Sequence, residues 1–440
     1  MGHLGNMKRE YYELSKRLDK TVIGFPEPKN ELAHEGWLTI LELLYTSEEA
    51  IIGSTLPTIP ASLDTIAKCG SIPKDKLKSI LDNMADKGIV MDIINPVSKE
   101  VLYSLSPPIV GFLELTMMKM GDEKVSKKDL ATALSIYGGN SDDFVREVHG
   151  SGKTALGRAL VYDSLIKEDL IPSVFEWEKV LEIINKAEVI AVSNCFCRHK
   201  AEHLGKRCSA PMETCLSLDD FGEFVIRRNF GREISKAEAI EILTECRKHF
   251  LVHLVDNVKN KPAWVCNCCK CCCGALNAIN KFNFPAVNPS NFMPKQLEKN
   301  CKGCSLCVKV CPVNALSLDN KNGSNKISIN MDRCIGCGVC VSACPQKDLA
   351  LEKREKVSSV PDSNLELLML RAFERNKLAE FVFDNGQQFG TSFLNLVVKV
   401  ISSLPKNDQD KALSQLDSKF VNYIIENSNR SSINKTNVNG

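Results

Sequence analysis

Two cysteine quartets lie close together in the last third of this 440-residue chain. They read Cys301-x2-Cys304-x2-Cys307-x3-Cys311-Pro312 and Cys334-x2-Cys337-x2-Cys340-x3-Cys344-Pro345. A tight Cys-x2-Cys-x2-Cys turn directs three thiolates at the corners of a small iron–sulfur cube, and in a two-cluster arrangement the fourth thiolate comes from the other half of the repeat. We therefore predict two [4Fe–4S] clusters, the first held by Cys301, Cys304, Cys307 and Cys344 and the second by Cys334, Cys337, Cys340 and Cys311.

Zinc sites or disulfides are the alternative use of these cysteines. Zinc sites usually pair Cys-x2-Cys knuckles, and they need neither a third cysteine two residues on nor the Cys-Pro that follows. The spacing therefore favours iron–sulfur clusters. About residues 293–352 resemble the bacterial ferredoxin with two [4Fe–4S] clusters, and centres of that kind commonly pass single electrons at low potential.

A second group of eleven cysteines lies between residues 195 and 273. A single cysteine such as Cys246, within a helical pattern, is predicted to be a small buried hydrophobe. Six cysteines within residues 266–273 crowd one another and would be reactive unless a metal held them as thiolates. We predict a third iron–sulfur cluster or another metal centre, with the candidate ligands Cys195, Cys197, Cys215, Cys266, Cys268, Cys269, Cys271, Cys272 and Cys273. Two centres, or one centre plus a redox-active dithiol, remain open.

The elements around these cysteines must bring the two ends of the group together. An apolar run over 189–192 predicts a strand that ends near Cys195, and Ser235-x2-Glu238 predicts a capped helix that reaches about His249. A second strand is predicted over 250–255. Strand, helix and strand in an α/β unit would place both cysteine groups at one edge of a sheet.

Arg198 and His199 directly follow the first candidate ligands, and His203 lies one helical turn further on. One interpretation is that they donate hydrogen bonds to cluster sulfur or bind an anionic substrate. The other is a solvated helix with incidental histidines.

The N-terminal part predicts three helices and a hairpin. Helical spacing begins at Glu35 and returns over 62–69 and 74–87, and strand patterns follow over 89–94 and 100–105. This order resembles a winged-helix domain. The helix over 74–87 mixes both charge signs and contains no arginine, the usual reader of guanine. This composition disfavours nucleic-acid binding and favours the alternative of packing or partner docking.

A Gly150-Ser151-Gly152-Lys153-Thr154 string resembles part of a phosphate loop. The glycine that such a loop needs earlier in the motif is replaced by Glu147, so we predict no nucleotide site here.

The overall composition and charge limit the partners and the compartment that the sequence predicts. Lysine plus arginine (56) nearly balances aspartate plus glutamate (54), so no strong field attracts nucleic acid or anionic lipid. No apolar run approaches the roughly 18 residues of a membrane span, and the first twenty residues do not look like a signal peptide. Twenty cysteines in that context predict a reducing cytoplasm, of an anaerobe.

The combined pattern resembles the 4Fe–4S ferredoxin-domain proteins of anaerobes over about residues 35–352, which implies iron–sulfur binding but no particular reaction. We predict an α+β multidomain protein: a winged-helix-like domain (35–108), a central helical and Cys-rich α/β domain (109–290), a two-cluster ferredoxin-like domain (291–352), a helical C-terminal region (353–426) and a disordered tail (427–440).

Three functions are consistent with these patterns. The first is an iron–sulfur electron-transfer protein that works with a redox partner protein of unknown identity. The second is a reductase whose central Cys-rich metal site is the active centre, supplied with electrons by the ferredoxin domain. The weaker third is a redox-responsive DNA-binding regulator. The absence of a flavin, nicotinamide or nucleotide fingerprint in the sequence favours the carrier.

Overall fold

The computed structural model describes residues 7–68, 72–95, 98–119, 125–150, 152–166, 174–319, 326–383 and 391–416. Within these ranges the chain is a mixture of helices with one three-stranded, one seven-stranded and two two-stranded sheets, as the predicted α+β class requires. None of the helices in these ranges combines the length and the apolar composition needed to cross a bilayer.

The N-terminal part packs helices around Trp37, which is fully buried. Its elements are α1 Arg9–Asp19, α2 Glu31–Leu44, α3 Ser47–Gly53, β1 Ala61–Ser62, α4 Leu63–Ala67, α5 Lys74–Lys87, β2 Val90–Ile94, β3 Val101–Leu105, α6 Leu113–Met118, α7 Lys127–Asn140 and α8 Asp143–Val145. The three predicted helices and the hairpin are confirmed, and the sheet order is β1-β3-β2.

Helix α7 packs closely on α2 because Gly36 has no side chain. A Cβ atom at Gly36 would lie 2.7 Å from the Tyr137 backbone nitrogen and 2.8 Å from the Ala133 carbonyl oxygen. The hydrophobic core of this part accordingly runs from Tyr11 to Tyr137, on both sides of the predicted limits 35–108.

The central part is built on the seven-stranded sheet, in the order β10-β4-β8-β9-β6-β5-β7. The elements are β4 Gly157–Ala159, α9 Val180–Lys186, β5 Ile190–Asn194, α10 Phe196–His203, β6 Glu213–Leu218, α11 Asp219–Arg227, β7 Arg232–Glu233, α12 Lys236–Lys248, β8 Val252–Asp256, β9 Trp264–Cys268, α13 Gly274–Phe282 and β10 Val287–Asn288. All neighbours are antiparallel except β10 and β4.

The predicted elements β5, α12 and β8 all exist, but the strands β6 and β9 lie between β5 and β8 in the sheet. Strand β5 pairs with β6 and β7, and the second cysteine group begins within β9 and not after β8. Since β5 and β9 both run antiparallel to β6, they run in the same direction, and their C-terminal ends meet at one edge of the sheet. The two cysteine groups reach a common edge through the strand β6, which the sequence pattern did not identify.

The C-terminal part contains two small sheets and a helical appendage. Its elements are β11 Phe292–Gln296, α14 Leu306–Val310, β12 Leu316–Asp319, β13 Lys326–Ile329, α15 Val339–Ser342, β14 Leu349–Lys353, α16 Asn364–Glu374, α17 Leu378–Val382 and α18 Thr391–Ser403, with further helix over 406–416. Strands β11 and β14 pair antiparallel, as do β12 and β13. The predicted tail 427–440 lies outside the described residues.

Candidate metal centres

The two ferredoxin-like quartets each gather at one place. Cys301, Cys304, Cys307 and Cys344 line a single small pocket. Burial first, and then the neighbouring sulfurs of Cys311 and Cys334, raises the pKa of Cys337. Burial also raises the pKa of Cys340, with the sulfurs of Cys337, Cys311 and Cys334 as further causes. Each quartet thus combines three cysteines of one motif with the fourth cysteine of the other.

Local backbone geometry shapes the second of these loops. Gly336 has a φ of 69°, and a Cβ atom there would collide with the Phe292 carbonyl oxygen and the Ser290 hydroxyl. The Ala315 backbone N–H donates a hydrogen bond to Cys311 Sγ at 3.2 Å. Hydrogen bonds of this kind to ligand sulfur stabilise negative charge on a bound cluster.

Arg354 forms hydrogen bonds with the backbone at and beside the same loop. It donates from Nη2 to the Cys334 carbonyl oxygen at 2.6 Å and from Nε to the Ser290 carbonyl oxygen at 3.0 Å. Its positive charge also lies near the Cys334 sulfur, where it opposes the rise in pKa that burial causes. Arg354 lies just beyond β14, outside both cysteine motifs, so no motif pointed to it.

The central cysteines separate into two sets. Cys208, Cys269, Cys271 and Cys272 bring their Sγ atoms all within 4.8 Å of one another, and we call them the four-cysteine site. The Sγ atoms of Cys271 and Cys272 are 3.5 Å apart, and those of Cys272 and Cys208 are 4.0 Å apart. A tetrahedral metal with sulfur bonds of about 2.3 Å separates its thiolates by about 3.8 Å. The four-cysteine site therefore has the dimensions for one tetrahedral metal ion.

The second set surrounds a cavity of about 180 Å³. Seven cysteines of the predicted group line it. Six of them lie outside the four-cysteine site, and we call the space the six-cysteine cavity after them: Cys195, Cys197, Cys215, Cys266, Cys268 and Cys273. Strand register explains the arrangement, because Cys215 on β6 lies across from Cys266 on β9 and beside Ser193 on β5. Cys266 and Cys268 share one face of β9 since side chains alternate along a strand. Cys269 lines the cavity as well and thus borders both sets.

Thiol–thiol contacts run around the cavity. Hydrogen bonding from Cys195, and then from Cys273, lowers the pKa of Cys197 well below its ordinary value. Hydrogen bonding from Cys215, and then from Cys268, does the same for Cys266. The pKa of the partner thiols Cys195, Cys215, Cys268 and Cys273 is raised. Neighbouring thiols thus share protons, and a bound metal would displace those protons.

Arg198 is the charged residue of this cavity, and it is fully buried. Its Nη1 donates to the Asn267 carbonyl oxygen at 3.0 Å and its Nη2 donates to Thr214 Oγ1. Burial by itself lowers the pKa of Arg198, but the sulfurs of Cys195, Cys269 and Cys268 raise it above its ordinary value. The interpretation of a solvated helix is therefore wrong for Arg198.

The two histidines of α10 lie elsewhere. His199 Nδ1 contacts the Met117 carbonyl oxygen, and its Nε2 lies 3.1 Å from His203 Nε2. They share one helix face, as predicted, but that face packs on α6.

Two other titratable side chains line the cavity and were not identified from the sequence. Burial, with smaller contributions from the Cys197 and Cys266 sulfurs, raises the pKa of Glu114 to about 8. Burial, and then the charges of Arg371 and Arg375, lowers the pKa of His149 to about 3. Both are neutral at pH 7. Neither residue lies near a cysteine in the sequence, and only the fold brings them here.

Cys208 also escaped the sequence analysis as a ligand. It stands alone in a polar loop, seven residues before Cys215, with no second cysteine at metal-ligand spacing. Cys246, by contrast, is fully buried in α12 as predicted.

The glycine-rich string around Thr154 holds a carboxylate of the chain itself. Glu374 on α16 accepts hydrogen bonds from the Thr154 backbone N–H at 3.1 Å and from Thr154 Oγ1 at 2.8 Å. This segment therefore connects the helical appendage to the central sheet.

The central and ferredoxin-like parts share one packed core. Cys268 and Cys273 belong to the same hydrophobic cluster as Cys307, Cys311 and the buried cysteines of the second motif. Helix α13 begins directly after Cys273, and Asn280 on this helix donates to the Pro312 carbonyl oxygen at 2.9 Å. The cavity wall and the second quartet are thus connected by a single helix of nine residues.

Comparison with known proteins agrees with this geometry. Residues 300–347 match the family described as 4Fe-4S dicluster domain. A search of curated proteins found no match to the chain. The chain therefore contains a ferredoxin-type iron–sulfur domain at residues 300–347, with the eight motif cysteines inside it.

Proposed function

We propose that the protein is an iron–sulfur electron-transfer protein with two [4Fe–4S] clusters and at least one further metal centre in its central domain. The observation that carries this proposal is the grouping of the eight motif cysteines into two quartets within the matched ferredoxin-type domain. Clusters held in this way exchange single electrons without making or breaking substrate bonds.

The exposure of the thiols supports a direction for the electrons. Cys304 is exposed and Cys301 and Cys344 are partly exposed, whereas all four cysteines of the second quartet are buried. A redox partner protein would therefore exchange electrons at the loop around Cys304. The second quartet, which is buried in the same hydrophobic cluster as Cys268 and Cys273, would face the central domain.

A second candidate is a reductase whose active centre is the six-cysteine cavity. The observation that favours it is the cavity itself, whose lining residues Cys268 and Cys273 share one hydrophobic cluster with the second quartet. A simple carrier has no need of such a space. The third candidate, a DNA-binding regulator, is less favoured because Asp82 and Asp86 of α5 form ion pairs with Arg228 of the central domain. We propose that the winged-helix-like part serves as a packing element.

The test is anaerobic purification followed by iron, sulfide and zinc analysis and electron paramagnetic resonance of the reduced protein. We expect about eight irons from the two ferredoxin clusters and two interacting signals. Cys304→Ser and Cys337→Ser should each alter a different cluster, while Cys246→Ser, a buried cysteine outside all the sets, should alter neither. Colourless protein, or zinc in place of iron at both quartets, would refute the proposal.

A further inference from the structure

The central domain contains more cysteines than one metal site needs, and the distances between their sulfurs separate them into two sets. The four-cysteine site has sulfur separations that suit a single tetrahedral ion. Among the cysteines that the structure describes, no three of the six-cysteine cavity converge to within 4.8 Å of one another. No three cysteine sulfurs of either ferredoxin quartet lie within 4.8 Å of one another either. Sulfurs spread around a space suit a centre of several metal atoms, because each thiolate then binds a different atom.

We infer that the six-cysteine cavity binds a polynuclear iron–sulfur centre that is separate from the metal of the four-cysteine site. The cavity has a volume of about 180 Å³, and its remaining walls are mostly apolar side chains such as Val110, Leu254 and Val287. Such walls leave the thiols as its main metal-binding groups. Thiolate sulfur is the ligand that iron–sulfur clusters require.

The charge of Arg198 supports the same occupant. Removing a guanidinium from water costs several kcal/mol unless an opposite charge accompanies it. No carboxylate forms an ion pair with Arg198 in the described part of the chain, and its buried neighbours are the sulfurs of Cys195, Cys268 and Cys269. Metal-bound sulfurs remain anionic, so an iron–sulfur centre in the cavity would supply the missing counterion.

Polar atoms without partners point to the same space. Arg198 Nε, His149 Nδ1 and Ser217 Oγ have no hydrogen-bond partner among the described residues, and all three residues line the cavity. A buried polar group that lacks a partner is costly, and natural proteins rarely leave several of them around one cavity. Sulfide or a further ligand of the centre would accept hydrogen bonds from the Arg198 and Ser217 groups.

The inference extends the proposed function, since it places an electron acceptor next to the second ferredoxin quartet. Metal content nevertheless tests it independently. The protein is purified anaerobically as the full chain, and iron, sulfide and zinc are counted per chain for the wild type and two double variants. Cys266→Ser with Cys268→Ser alters the cavity, and Cys271→Ser with Cys272→Ser alters the four-cysteine site.

We expect the wild type to hold clearly more iron than the roughly eight atoms of two ferredoxin clusters. The cavity variant should lose that excess and keep both the ferredoxin signals and the metal of the four-cysteine site. The variant of the four-cysteine site should lose about one zinc or iron and keep the excess. Cys246→Ser is the matched control and should change none of these counts.

Arg198→Lys provides a second measurement if the cavity variant does not fold. Lysine keeps the charge but cannot reproduce the two directed hydrogen bonds, and substitutions of this kind typically cost about 10–100-fold in metal affinity. We expect the excess iron to be removed by a chelator at a lower concentration than in the wild type, with the ferredoxin signals unchanged.

Two outcomes would overturn the inference. One is a wild-type protein that shows both ferredoxin signals but contains no iron beyond that of the two ferredoxin clusters and the four-cysteine site. The other is a folded cavity variant that retains all of its iron. Absence of the ferredoxin signals themselves would instead contradict the proposed function, so the two failures are distinguishable.

Discussion

Burial changes the proton affinity of individual side chains in the central sheet, and Asp256 on β8 is one example outside the cysteine sets. Its carboxylate accepts a hydrogen bond from the Ala263 backbone N–H at 2.9 Å. Burial nevertheless raises the pKa of Asp256 to about 7, from an ordinary value of 3.8. The folded chain thus holds this proton more tightly than the unfolded chain does.

The sign of the pH dependence follows from that difference. Below pH 3.8 both states are protonated, and the contribution of Asp256 to stability is complete. As the pH rises toward 7 the unfolded chain releases the proton and the folded chain keeps it, so the free energy of unfolding falls. The loss attributable to this residue is on the order of 4 kcal/mol at most.

We predict that Asp256→Asn makes the free energy of unfolding less dependent on pH. The amide keeps an oxygen that can accept from Ala263 but has no proton to lose. Anaerobic denaturant unfolding at pH 5.5 and pH 8 measures the effect, and the variant should gain stability relative to the wild type at the higher pH. Equal pH dependence in both proteins would contradict the prediction.

At the scale of elements, Arg228 at the C-terminal end of α11 joins the N-terminal and central parts. It forms ion pairs with Asp82 and Asp86 of α5 at 2.8 and 2.9 Å and with Asp92 of β2 at 2.7 Å. Asp92 is only 2 % exposed in its side chain. A carboxylate so deeply buried depends on the arginines beside it.

We predict that Arg228→Ala lowers the free energy of unfolding by about 3 kcal/mol, because it leaves the buried Asp92 carboxylate with less compensation. Hydrogen exchange of the α5 and β2 amides should become faster. Arg232→Ala is the control, since Arg232 pairs with Glu238 at an exposed surface and should cost less than about 1 kcal/mol. Similar losses in the two variants would show that the Arg228 network has no special role.

At the scale of the whole molecule, the helical appendage braces the wall of the six-cysteine cavity. Arg371 on α16 is fully buried and donates to the carbonyl oxygens of Thr154 at 2.7 Å and Val148 at 2.8 Å. The same segment supplies His149, Leu156 and Gly157 to the cavity lining. The appendage thus connects to the candidate centre although it contains none of its ligands.

We predict that Arg371→Met lowers the free energy of unfolding by about 2–4 kcal/mol, since it removes charged hydrogen bonds from two buried carbonyl groups. Amides of residues 152–157 should exchange faster, while the ferredoxin signals remain. Lys399→Ala is the control, because it removes an exposed ion pair with Asp362 on the same appendage. It should change neither the free energy of unfolding nor the amide exchange of residues 152–157. Unchanged exchange in the Arg371 variant would refute the bracing role.

Local patterns predicted the elements that local physics determines. The helix α5 was recognised from its apolar spacing and from Gly88, which ends it with a φ of 82°. The helix α12 was recognised from Ser235, whose side chain accepts from the Glu238 backbone N–H. Strand β6 was missed because its residues, Glu213–Leu218, contain a cysteine and polar residues that suggest a loop. Its identity as a strand depends on β5 and β9, which lie far away in the sequence.

Local spacing was enough to predict the ferredoxin-type chemistry, because the six spacings between the motif cysteines lie within two short segments, three in each. The density of thiols also located the candidate metal site of the central domain. The division of those thiols into two sets depends on the fold. The register of β6 against β9 places Cys215 beside Cys266, and a loop fold places Cys208 beside Cys271 and Cys272. The distances between sulfurs of different segments depend on how the whole sheet packs. The order of adjacent cysteines along the chain does not show which of the two sets each sulfur joins.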